Sequence, residues 1–124
     1  MPSEILDKFG RFLIENSFNK GLNKIESLIK GELKTYKNLQ KEVSKFNNKQ
    51  LVTLKRCFVT MFNEALHDLL FALQESYENN KDINIIVDGK NIAELSDGLN
   101  GELYSDEGWY VKFSNYKGDP SEID

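Results

Sequence analysis

One cysteine, one histidine, one tryptophan and two prolines occur among the 124 residues, and arginine stands only at positions 11 and 56. Each scarcity removes a class of chemistry. Cys57 alone can form no internal disulfide, so packing must hold the core. Beside Phe58 in an apolar-periodic stretch, it reads as a small buried hydrophobe rather than a nucleophile. One histidine cannot supply the two or three imidazoles of a hydrolytic zinc site. Glu64-Ala-Leu-His67 has the spacing of two metal ligands on one helical face, but the di-iron carboxylate proteins built that way need a second copy of the motif. There is no Gly-x-Ser-x-Gly elbow, and the glycines lie among acids that would repel a phosphate.

No apolar run approaches the roughly 20 residues of a bilayer span. Met-Pro-Ser-Glu-Ile-Leu-Asp at the N-terminus is not a basic region followed by an apolar one, so no secretory leader is read there. The expectation is a cytoplasmic protein without membrane contact, catalytic residue, metal site or cofactor.

Charge is plentiful and unevenly spread. The formal net charge is -4. Residues 1–62 carry 12 Lys/Arg and 6 Asp/Glu, whereas residues 63–124 carry 4 and 14. Such polarity steers partners over a Debye length of about 8 Å at physiological salt. Lys30, Lys34, Lys37, Lys41 and Lys45 follow helical steps and form a stripe that could track a phosphate backbone. Interleaved Glu32 and Glu42 and the acidic total favour a solvated helix surface instead.

Apolar periodicity sets the expected architecture: one α+β domain over 1–124, helical through residue 78, β-rich over 83–116, with a flexible tail at 117–124. Ser3 would cap a first helix with Ile5, Leu6, Phe9, Phe12 and Leu13 on its apolar steps, broken or bent at Asn19 to Gly21. Apolar steps then run from Leu22 to Phe46, weakened at Gly31, where the pattern leaves room for a kink or short break. Asn47-Asn48 would cap a third helix, whose wide stripe from Leu51 to Leu73 makes it the central element and leaves room for a homodimer. About three helices would pack on a small antiparallel hairpin or meander. Asp88-Gly89 would turn Ile83–Val87 into a return strand at Asn91–Leu95. Glu102-Leu103-Tyr104 reads as a short strand. Trp109–Phe113 reads as a strand by residue type, though Trp109, Phe113 and Tyr116 also stand at helical spacing.

The segment Ser96-Asp-Gly-Leu-Asn-Gly-Glu-Leu-Tyr-Ser-Asp-Glu-Gly-Trp109 holds four carboxylates and three glycines. Tight turns account for most of it, Gly98, Gly101 and Gly108 supplying positive φ or close approach. What remains is aromatic residues ringed by acids, the composition of a surface that receives a basic protein. Trp109 and Tyr110 would be its anchors, with Tyr104 beside them. Asp97, Glu102, Asp106 and Glu107 would steer and accept hydrogen bonds. The same carboxylates support an alternative, a small-ligand or divalent-cation-binding domain.

From about Ala65 to Tyr116, the runs Ala-Leu-His-Asp-Leu-Leu-Phe-Ala-Leu-Gln-Glu, Glu-Leu-Ser-Asp-Gly-Leu-Asn-Gly-Glu-Leu and Gly-Trp resemble a group of small uncharacterised bacterial proteins. That resemblance implies a bacterial origin and brings no activity. The plan of a small acidic α+β protein is also similar to immunity proteins that neutralise toxins.

Overall fold

The computed structural model describes residues 2–80 and 82–122. It is mostly helical, with a two-stranded antiparallel sheet. Helix α1 spans Pro2–Leu13, so Ser3 lies inside its first turn rather than capping it. The chain does not break at Asn19 to Gly21, where a break or a bend is expected. A single π-helical turn, Ile14–Phe18, carries the chain directly into α2, Asn19–Lys30. Polar side chains accompany the widened ladder: the Ser17 hydroxyl donates to the Leu13 carbonyl, and the Asn16 amide donates to the Phe12 carbonyl at 2.9 Å. Gly21 serves packing instead of breaking the helix, since a Cβ there would come within 2.8 Å of the Phe58 ring.

Gly31 ends α2 as a left-handed cap, φ 74°. The helical stretch expected from Leu22 to Phe46, with room for a kink or short break at Gly31, is thus divided there between α2 and α3, Lys37–Val43. Lys30 and Lys34 fall outside the helix that holds Lys37 and Lys41, so the lysines form no continuous stripe.

Helix α4, Asn48–Glu78, is the central element. Asn47 and Gln50 form a reciprocal capping box: Asn47 Oδ1 accepts the Gln50 N–H at 2.9 Å, and Gln50 Oε1 accepts the Asn47 N–H at 2.8 Å. Replacing Asn47 by Ala should lower stability by about 1 kcal/mol, read as an earlier midpoint in urea denaturation. The buried side of α4 carries Val59, Asn63, Leu66, Leu70 and Gln74. Cys57 points elsewhere and is exposed, against the expected buried position, because helical geometry places it across the axis from Val59.

Beyond α4 the β content is smaller than expected. Strands β1, Ile86–Val87, and β2, Lys90–Asn91, pair antiparallel about Asp88-Gly89, with Ile86 opposite Asn91. Both turn residues have positive φ, 51° and 79°, as a type I′ hairpin requires. The return strand stops at Asn91, whose side-chain oxygen takes the Ala93 N–H at 3.1 Å and turns the chain. Leu99–Leu103 is a 3₁₀ helix, so the strand expected at Glu102–Tyr104 is absent. Trp109–Phe113 is the short helix α5, not a strand.

The core joins Ile14, Phe18 and Leu22 to Val59, Leu66 and Leu70, and closes over Leu99, Leu103, Trp109 and Tyr110. A short 3₁₀ turn, Pro120–Glu122, packs on α4 with Pro120 buried, so the expected tail is docked at least that far. Residues 123–124, also assigned to that tail, lie outside the described residues.

Candidate functional site

The polar side chains of α4 hold the C-terminal segment in place. Gln74 Nε2 donates to the Ala93 carbonyl at 3.0 Å, and Gln74 Oε1 accepts the buried Leu99 N–H at 2.9 Å. Two turns earlier on the helix, His67 Nε2 meets the Asn100 amide nitrogen at 3.2 Å. His67 Nδ1 lies 3.4 Å from Asp68 Oδ1. Asn63 Oδ1 accepts hydrogen bonds from Tyr104 at 2.9 Å and Tyr110 at 3.0 Å. The Ser96 hydroxyl donates to Glu102 at 2.7 Å.

These bonds divide the residues proposed for partner binding. Trp109 and Tyr110 are 1% and 4% exposed and belong to the core, so neither can anchor a partner in this conformation. Their burial follows from α5, which turns both rings inward: Phe18 meets Tyr110 at 5.2 Å, and Phe9 meets Trp109 at 5.8 Å. Tyr104 is half-buried and tied to Asn63. Glu102 is half-buried, whereas Asp97, Asp106 and Glu107 face solvent. None of Gly98, Gly101 and Gly108 lies in the left-handed region. Gly108 permits close approach: a Cβ there would fall 2.1 Å from the Tyr104 carbonyl oxygen.

An exposed face of α4 was not recognised from the sequence. Met61, Glu64, Asp68 and Phe71 follow steps of three and four residues, and all four are exposed. Met61 and Phe71 present 63% and 53% of their surface to water. The spacing was legible, but the width of the apolar stripe drew attention to the buried side. This face borders Tyr104, whose hydroxyl is influenced by Glu64, Asp119 and Asp68.

Burial, reinforced by those carboxylates, holds the Tyr104 phenol above its ordinary pKa, while its hydrogen bond to Asn63 opposes the shift. Burial raises Tyr110 further. The folded state thus retains these phenolic protons where the unfolded chain has lost them. Stability from both groups is complete below the unfolded phenol's value of about 10 and falls as the pH climbs beyond it. A spectrophotometric titration should show two of the tyrosines ionising late, together with unfolding; Tyr110→Phe should remove the larger part of that alkaline sensitivity.

Among the described residues, no group of three or more His, Cys, Asp or Glu side chains converges to hold a metal ion. The carboxylates at 97, 102, 106 and 107 therefore supply no cation cage there. None of the described helices is long and apolar enough to cross a membrane. No family model, curated protein or solved structure matches this chain.

Proposed function

We propose that the chain is a non-enzymatic protein-binding protein whose acidic C-terminal half docks on a basic partner. Neutralisation of a basic toxin, in the manner of a bacterial immunity protein, is the concrete form of this reading. The observation that carries it is the outer face of α4, where Glu64 and Asp68 stand between exposed Met61 and Phe71. Apolar side chains at both ends can be desolvated, and carboxylates between them provide steering and hydrogen-bond acceptors. Asp106 and Glu107 extend the negative field along the loop before α5. Phe71 and Met61 take the anchoring role that Trp109 cannot fill.

The fold leaves Glu64 and Asp68 open to solvent, Asp68 touching the neighbouring His67 Nδ1 at 3.4 Å. Lys8–Asp88 at 3.0 Å and Lys112–Asp7 at 2.9 Å join the two halves, but both are surface pairs away from this face. Double charge reversal, Glu64→Lys with Asp68→Lys, changes only exposed positions and should leave the circular dichroism spectrum intact. It should slow association with a basic partner at least tenfold, whereas Phe71→Ala should mainly hasten dissociation. Retention by the reversed variant of every basic protein captured by wild type from its source cells would overturn the assignment.

A further inference from the structure

The basic half contains a cleft unrelated to the acidic face. It lies between α2 and the first turns of α4 and has a volume of about 560 Å³, within the range that encloses small ligands. Ile29, Leu51 and Val52 form apolar walls, and Tyr116 contributes its ring from the C-terminal segment. A second hollow of about 310 Å³ shares Glu26, Lys55 and Tyr116 with the first, so the two adjoin. Around the two hollows stand Lys30, Lys55 and Lys117, and among the described residues that line them Glu26 is the one carboxylate.

We propose that this cleft binds a small amphipathic carboxylate, an acyl or aryl chain bearing one terminal acid. The apolar part fits because Val52 is 60% exposed and Ile29, Leu51 and Tyr116 are each partly open: all gain by losing contact with water. The anionic part fits because Glu26 already engages Lys55 at 3.4 Å, which leaves Lys30 and Lys117 to meet an anion. The long stems of lysine and arginine can line an apolar chain while their charged ends meet its carboxylate. The cleft suits a small molecule better than a nucleic-acid strand because the neighbouring lysines do not continue as a stripe beyond Gly31.

Octanoate is a direct probe, followed by amide chemical shifts in the intact protein. Saturable shifts at Ile29, Lys30, Leu51, Val52, Lys55 and Tyr116 are expected at millimolar ligand. Octan-1-ol, with the chain but no charge, and acetate, with the charge but no chain, should each bind at least tenfold more weakly. Val52→Glu puts a carboxylate on the apolar wall at an exposed position and should reduce octanoate affinity at least tenfold; Lys117→Glu should reduce it less and provides a second folded test. Equal binding of octanol and octanoate would overturn the anion requirement. Equal binding of acetate or inorganic phosphate would overturn the apolar one. Absence of shifts in the cleft, or full affinity in both variants, would overturn the site.

Discussion

Trp109→Ala is expected to leave the protein unfolded or close to it, with loss of about 3–5 kcal/mol. A domain has only about 5–15 kcal/mol to lose. The ring is 1% exposed and meets the edge of Phe9 at an interplanar angle of 72°. It also fills the space above Gly10, where a Cβ would come 2.3 Å from its indole carbons. Removing it opens a cavity between α1 and α5 that neither short α5 nor the glycine can fill. Urea denaturation followed by circular dichroism gives the measure. Trp109→Phe should retain more than half of the lost stability, because a smaller ring still packs on Phe9. Gly10→Ala should destabilise by overpacking the same contact from the other side. A Trp109→Ala protein with the wild-type midpoint would contradict the core role and reopen the tryptophan as a surface anchor.

The same tryptophan shows where sequence reading reaches its limit. Trp109, Phe113 and Tyr116 satisfied helical spacing, while β-rich residue types favoured a strand, and five residues contain too little pattern to decide. The choice is made elsewhere. Asn19, at the end of the π-helical turn, donates to the Phe113 carbonyl at 2.8 Å and accepts the Asn115 N–H at 2.9 Å. Its side chain thereby holds the exit of α5 from 94 residues away, beyond the reach of any local pattern. The features written locally were legible: Asn47 began α4 through its own capping box, and Asp88-Gly89 turned the hairpin through its own backbone angles. The apolar width of α4 identified the central helix correctly but could not assign each flank to core or solvent. That is why Cys57 was misplaced inside and the Met61–Phe71 face was overlooked. The acidic residues of the loop were likewise visible, but their division between internal bonds and open surface depended on Ser96 meeting Glu102.

Gln74→Leu should loosen one cooperative unit rather than the whole domain. Leucine fills nearly the same volume but removes the acceptor for Leu99 N–H and the donor to Ala93 O, which glutamine satisfies inside the fold. A third, longer contact to Ser96 O at 3.4 Å is lost as well. Two stranded backbone groups at about 1–3 kcal/mol each predict a cost of roughly 2–6 kcal/mol, the lower end applying if water enters. This cost falls where residues 93–103 dock on α4, while the capping box and the helical packing around Phe18 and Val59 remain intact. Native-state hydrogen exchange should therefore accelerate at Leu99 and its 3₁₀ turn well before the α1 amides. Because that turn supports Tyr104 and the loop bearing Asp106 and Glu107, affinity for a basic partner should fall too, although every acid is retained. Unchanged exchange at Leu99 would show that the bond does not hold the segment. A uniform acceleration across α1 and α4 would show instead that the C-terminal segment and the helices unfold as one.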